Sequence, residues 1–303
     1  NLSFIERRGY TDRFALINGN FGDADLLKQI FSEHEFLAVM HFAAFIQVGE
    51  SVTNPAKYYH NNFSNAITLL NEMGQAGIKN LIFSSTAAIF GNPDSKDVPL
   101  LSSAPKKPIN PYGDSKLNVE QALPFFDMAF GIKSASLRYF NVSGVDPSME
   151  IIPKERTEPT HLIPLVLQAA SGRREDIKIF GVDYETPDGT CIRDYIHVYD
   201  LCSAHLLALQ NLIKESKSFA INLGYGQGFS VREVIEKARL IAGCDIKAID
   251  TPRREGDPAR LIASSEEARA LGWEPKYAKL ELILAHAWEA EKRKAGHDSA
   301  ADI

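Results

Sequence analysis

The chain has 303 residues, a formal net charge of −6 at pH 7 and 45% hydrophobic residues, with its basic residues dispersed along its length. That is enough to bury a substantial core in one large or two medium domains, and it argues against disorder and against nucleic acid or an anionic membrane as the main partner. Cys191, Cys202 and Cys244 are far apart, so neither a disulfide framework nor a zinc site is indicated and a reducing cytoplasm fits. No apolar run approaches the ~20 residues of a membrane span, and the scattered histidines lack metal-ligand spacing.

In chain order, residues 14–19 predict a strand and 24–31 a helix. Residues 37–44 read as a buried strand ending in small residues, which let a ligand approach the backbone. Asn54-Pro55 opens a turn, and 58–72 reads as a long helix carrying Asn61 and Asn62. A short buried strand then ends in the hydroxyl run Ser84-Ser85-Thr86. After a Pro-rich loop, Pro111 takes a first-turn position in a helix supported by the run 117–123. Tyr112 and Lys116 lie one turn apart on that helix, so they share a face. The ammonium is expected to draw the phenol down from its usual pKa of roughly 10 towards general-base range. Residues 134–141 form the next strand.

The texture changes from Val142, where Pro147, Pro153 and Pro159 punctuate an irregular stretch before a helix over 163–171. A loop from Phe180-Gly181 leads into a strand near 193–198, and Asp200 starts a helix ending near Ile213. Residues 219–223 read as a strand, 231–242 as a helix and 280–294 as a C-terminal helix followed by a polar tail. The glycines at 224, 226 and 228 have the wrong spacing for a dinucleotide fingerprint. The alternation over the first 140 residues predicts an α/β fold: a Rossmann-like parallel sheet with helices on both faces, plus a smaller C-terminal substrate domain.

A Tyr-x-x-x-Lys spacing alone decides little, but here it follows a strand whose carboxyl end carries hydroxyls, where parallel α/β sheets bind ligands. A Thr86-Tyr112-Lys116 triad resembles the extended short-chain dehydrogenase/reductase superfamily. The motifs His41-Phe42-Ala43-Ala44, Val48-Gly49-Glu50-Ser51-Val52, Asn61-Asn62, Ser84-Ser85-Thr86, Asn110-Pro111-Tyr112 and Arg138-Tyr139-Phe140-Asn141 occur in order. Asp188-Gly189-Thr190, Arg193 to Val198 and Pro252 to Asp257 continue the series. Together they resemble the UDP-glucose 4-epimerase family over essentially all of the chain.

The resemblance implies NAD as cofactor, a UDP-sugar substrate, and interconversion of UDP-glucose and UDP-galactose by transient oxidation at C4, within galactose metabolism. It implies an NAD-binding domain over 1–142 and a UDP-sugar-binding domain over 143–303, with segments near 185–225 returning to the first. Catalysis would rest on Tyr112, Lys116 and Thr86. NAD would be held by Asn1, Asn20, Phe21, Phe42, Ala43, Ala44, Phe45, Ile46, Asn61, Thr86, Tyr112, Lys116 and Phe140; the family often has Lys where Ile46 stands. The substrate would meet Thr86, Tyr112, Asn141, His161, Lys178, Ile179, Phe180, Arg193, Arg254 to Asp257, and Leu261.

His161 stands where some relatives have Asn, and Leu261 at the family's gate to the N-acetyl group. Arg193 and Arg254 suit a pyrophosphate because a guanidinium presents several donors at once. A homodimer through helices near 58–72 and 112–128 is also implied. An epimerase for a UDP-pentose or an N-acetylhexosamine, or a non-catalytic UDP-sugar-binding chain, are the alternatives. Related 4,6-dehydratases typically carry an Asp-Glu pair after the strand-end Thr, and UDP-glucuronate decarboxylases a Glu near it; Ala87-Ala88 stand here. The strand, Gly-rich turn and helix that usually open such a sheet precede residue 1 by this reading. The expectation is a fragment of a longer enzyme that by itself binds NAD poorly and folds marginally.

Overall fold

The computed structural model describes residues 2–153, 159–254 and 257–301, excluding the side chains of Leu2 and of 297–301. Ten strands are described: β1 (Val39–His41), β2 (Asn80–Thr86), β3 (Lys133–Tyr139), β4 (Asn141–Ser143), β5 (Ile177–Phe180), β6 (Ile192–His197), β7 (Phe219–Leu223), β8 (Gly228–Ser230), β9 (Ala248–Thr251) and β10 (Arg260–Leu261). The central sheet runs β1-β2-β3-β7, all parallel.

Its two faces follow from the two-residue period of β2. Leu81 and Phe83 point to one side, into a cluster with Leu69, Leu70 and Met73 of the Asn65–Gln75 helix and Val119 and Leu123 of the Pro111–Phe130 helix. Ile82 points to the other, towards Leu201, Ala204, Ala208 and Leu212 of the Val198–Glu215 helix. Burial on both faces explains why these strands read as near-continuous apolar runs. β7 lies in the chain's second half yet completes this sheet.

A second sheet runs β10-β6-β4 with β8 antiparallel to β6, and β5 pairs with β9. The chain passes from the first sheet to the second at Phe140, whose amide donates to the Leu223 carbonyl at 3.2 Å. Buried Asp194 on β6 ties these parts together: its carboxylate accepts from the backbone N–H groups of Tyr225, Gly226 and Ala263 at 2.9, 3.0 and 3.2 Å. Gly224 leaves room for it, since a Cβ there would sit 2.4 Å from Asp194 Oδ2.

Several expectations change in the structure. Residues 14–19 are not a strand: they have no ladder partner among the described residues, and Phe14, Leu16 and Ile17 are exposed. An extended segment becomes a strand only when a neighbour pairs its N–H and C=O groups. The strand expected over 37–44 is confined to Val39–His41 at the sheet edge, and its burial is partial. The helix expected over 58–72 runs as Pro55–Tyr58, a π-helical Tyr59–Ser64 and Asn65–Gln75. At the carboxyl end, helix Leu280–Ala301 continues beyond the expected 294. Among the described residues no helix is long and apolar enough to cross a membrane.

Candidate active site

The Pro111–Phe130 helix begins with Asn110, whose side chain accepts from the Gly113 amide at 2.8 Å, and with Pro111 in the first turn. An Asn cap followed by Pro fixes the helix start locally. Its approach to β2 depends on Gly113, where a Cβ would lie 2.5 Å from the Ala88 carbonyl oxygen. That close contact brings Tyr112 to the end of β2, beside the Thr86 side chain, whose hydroxyl favours the phenolate. Thr86 Oγ1 also accepts from the Ala88 amide at 3.1 Å, which fixes its rotamer.

Lys116 is buried, with its ammonium donating to the Ser84 carbonyl at 2.8 Å and lying 4.9 Å from the Phe83 ring centroid. The electrostatics differ from the sequence expectation. Burial raises the Tyr112 pKa, partly offset by the neighbouring Thr86 hydroxyl, and burial lowers that of Lys116 to about 7. Desolvation disfavours both charged forms and outweighs the attraction expected from their spacing. His41 is buried between Phe21, 4.8 Å away, and Phe83, and burial followed by the Lys116 charge lowers its pKa to about 3. Its Nε2 has no hydrogen-bond partner.

The carboxyl end of β1 opens onto the same region. Phe42, Phe45 and Ile46 are 57%, 38% and 54% exposed, an apolar surface at a strand end. Ala43 is exposed and Ala44 half-buried beside them. Lys116 has three N–H donors and spends one on Ser84, which leaves donors for a ligand's hydroxyls. An exposed apolar surface, a positioned ammonium and a phenol at the ends of adjacent parallel strands fit NAD. Asn20 accepts from the Gly22 amide at 2.9 Å and Phe21 packs on His41, on the outer side of β1. Asn61 donates to Asn62 Oδ1 at 3.0 Å. Phe140 contributes only backbone, because its ring is buried against Phe90, Leu117 and Leu100. Asn1 lies outside the described residues.

A second group forms around β5, β6 and β10. Arg193 donates to the carbonyls of Ile192 and Pro258 at 2.9 and 2.8 Å and lies 3.5 Å from Asp257. Arg254 donates to Asp257 at 3.0 Å, and its guanidinium stands 4.5 Å from the Phe180 ring centroid. Two guanidiniums share one carboxylate beside an aromatic face, which leaves donors and net positive charge for a diphosphate and a ring for a planar base. Leu261 is in register with Arg193 and packs with Phe140 and Leu117, linking this group to the Tyr112 helix. Asn141 starts β4 opposite Tyr195, and His161 is exposed ahead of the Leu162–Ala170 helix. Lys178 is exposed on β5, whereas Ile179 points into the core and offers only its backbone. Glu255 and Gly256 lie outside the described residues.

Some residues escaped the sequence reading. Asn62 and Tyr58 bind the loop after β1, with Glu50 accepting from Tyr58, and Glu120 forms a buried pair with Arg138 at 2.6 Å while accepting from Ser85. Asn62, Glu50 and Arg138 stood in motifs of the sequence, but without these roles, which depend on how the segments pack together.

Comparison with known proteins agrees with this geometry. The family model described as the NAD dependent epimerase/dehydratase family matches residues 1–224. The UDP-glucose 4-epimerase of Halalkalibacterium halodurans is 49% identical over 276 residues, covering 91% of this chain and 82% of that protein. The crystal structure of UDP-glucose-4-epimerase from Stenotrophomonas maltophila with bound NAD and formylated UDP-arabinopyranose is 37% identical and matches with a TM-score of 0.90, covering 98% of this chain and 89% of that one. The UDP-Glc/GlcNAc 4-epimerase of Campylobacter jejuni matches at 0.80 with 44% identity, covering 95% and 87%.

Proposed function

The chain belongs to the NAD-dependent epimerase/dehydratase family, and from that premise we infer that it interconverts UDP-glucose and UDP-galactose by inverting the sugar at C4. The observation that carries this is Tyr112, set beside the Thr86 side chain at the end of β2 and one turn from the buried Lys116. NAD would supply what no side chain here can, a reversible hydride acceptor for C4 and a positive charge that favours the phenolate. Phe42 to Ile46, Asn61, Lys116, Asn20, Phe21 and the Phe140 backbone would hold it.

Tyr112 accepts the proton of the C4 hydroxyl on its phenolic oxygen and gives it back in the second half of the turnover. Thr86 donates to the same sugar oxygen and fixes its direction. Arg193 and Arg254 hold the diphosphate, Asp257 orients both guanidiniums and Phe180 meets the uracil, so the substrate is retained by its nucleotide. A sugar held only through its nucleotide is free to turn over, and both faces of C4 reach the same site. Ala87 and Ala88 follow Thr86, with no carboxylic acid for an elimination.

Three unpaired cysteines suit a reducing cytoplasm, with galactose metabolism as the setting. The protein acts as a homodimer. Pro124, Phe125 and Met128 form an exposed stripe on the Pro111–Phe130 helix, with Phe125 and Met128 69% and 84% exposed, and a second copy would cover it.

The decisive experiment incubates the protein with UDP-galactose and NAD and follows UDP-glucose. Formation of UDP-glucose without net NADH is expected. Binding of UDP-galactose without turnover would favour the binding-only reading, and turnover confined to UDP-pentose would move the substrate.

A further inference from the structure

The backbone of the loop that follows β1 has no strand beside it. Residues 42–47 are largely exposed, carry no regular structure and make no ladder beyond His41. Two residues of the adjoining helical segment supply what the loop lacks. Asn62, 1% exposed, accepts from the Phe45 amide at 2.9 Å and donates to the Phe45 carbonyl at 3.0 Å, so one side-chain amide pairs with both backbone groups of one residue as a neighbouring strand would. Its remaining capacity is also used: Nδ2 donates to Ser115 Oγ at 3.3 Å, and Oδ1 accepts from Asn61. Tyr58, one turn earlier and fully buried, accepts from the Gln47 amide at 3.1 Å and donates to Glu50 at 2.8 Å.

Ser115 extends the connection. Its hydroxyl donates to the Tyr112 carbonyl at 2.8 Å, so a continuous path of hydrogen bonds runs from the Phe45 backbone through Asn62 and Ser115 to the catalytic tyrosine. The π-helical turn over Tyr59–Ser64 makes the path possible. Its wider winding lets Asn62 face the loop and the catalytic helix together, while Tyr59 bonds Asp114 at 2.8 Å. Such turns cost regular hydrogen bonding and persist mostly at functional sites. Every donor and acceptor of Asn62 is satisfied, as a buried amide requires, and substitution would leave both Phe45 groups without partners.

We propose that Asn62 is a positioning residue that locks the cofactor loop to the catalytic helix, so that the surface meeting NAD and the oxygen taking the substrate proton keep a fixed relation. It rests on the NAD-dependent reading above. Asn62 itself touches neither ligand in this role.

The test compares the protein with Asn62→Ala and Ser115→Ala, using three readouts. Amide hydrogen exchange over residues 43–47 needs no cofactor; in Asn62→Ala it should accelerate about tenfold or more, because the Phe45 N–H loses its acceptor. NAD dissociation constants should rise about tenfold in the same variant while UDP affinity changes less than about twofold, a split that a general loss of folding would not give. Ser115→Ala deletes one hydroxyl and serves where Asn62→Ala fails to fold. It should lower kcat about three- to tenfold with KM for the UDP-sugar unchanged. Unchanged exchange at 43–47, or equal loss of NAD and UDP affinity, would overturn the proposal. For Ser115→Ala, an unchanged kcat would do so. Failure of the unsubstituted protein to bind NAD would instead sink the functional reading, leaving the exchange result to judge the Asn62 contact.

Discussion

The Lys116 ammonium donates to the Ser84 carbonyl at 2.8 Å, joining the catalytic helix to β2 two residues before Thr86. Burial lowers the lysine's pKa to about 7, against 10.5 for an exposed lysine. Between those values the unfolded chain binds the proton more strongly than the folded protein, so stability contributed by this site rises with pH across that window and is lowest below about 7. Without NAD, the melting temperature should therefore climb from pH 7 to 10 relative to Lys116→Met. Parallel curves for the two proteins would contradict the assignment.

Tyr112→Phe removes the proton acceptor and leaves the ring packing in place. Turnover should fall about 10²–10⁴-fold, while UDP affinity, which the proposal assigns to Arg193, Arg254 and Asp257, should remain. Steady-state rates and a UDP titration check both halves; activity near that of the unsubstituted protein would exclude Tyr112 as the base.

Gly113→Ala tests geometry rather than chemistry. Its Cβ would meet the Ala88 carbonyl at 2.5 Å, so the helix must move away from β2 and carry Tyr112 from Thr86. A shift approaching 1 Å should cost kcat about 10²-fold. Retention of full kcat would mean that the helix relaxes without moving the phenol.

The Glu120–Arg138 pair is buried, with both side chains less than one-tenth exposed. Arg138 Nε and Nη2 grip the carboxylate, and Nη1 donates to the Ser102 carbonyl at 2.8 Å. Arg138→Met should destabilise by about 3–5 kcal/mol by stranding the Glu120 charge. Replacing both residues with apolar ones should cost less than that single change, which urea unfolding of the two variants would measure.

Leu261 stands in register with Arg193 and is half-buried, a side chain of intermediate bulk at the position proposed to meet the sugar. UDP-N-acetylglucosamine should turn over weakly at most, and Leu261→Ala should raise that rate relative to UDP-glucose. Equal rates on both sugars in the unsubstituted protein would contradict this.

The sequence alone determined what is local. Asn110-Pro111 starts the Pro111–Phe130 helix, and continuous apolar runs give the doubly covered β2 and β3. Each depends on neighbours a few residues away, which is why period and cap residues reveal it. Tertiary structure decided the rest. Residues 14–19 have strand composition but no pairing neighbour, and pairing belongs to two segments rather than one. The Tyr112–Lys116 spacing predicted attraction, but burial depends on what packs around the pair, and desolvation reversed the expected shift of the phenol. Asn62 lies 17 residues from Phe45 and 53 from Ser115, so its path to Tyr112 exists only once the π turn, the loop and the catalytic helix have packed together.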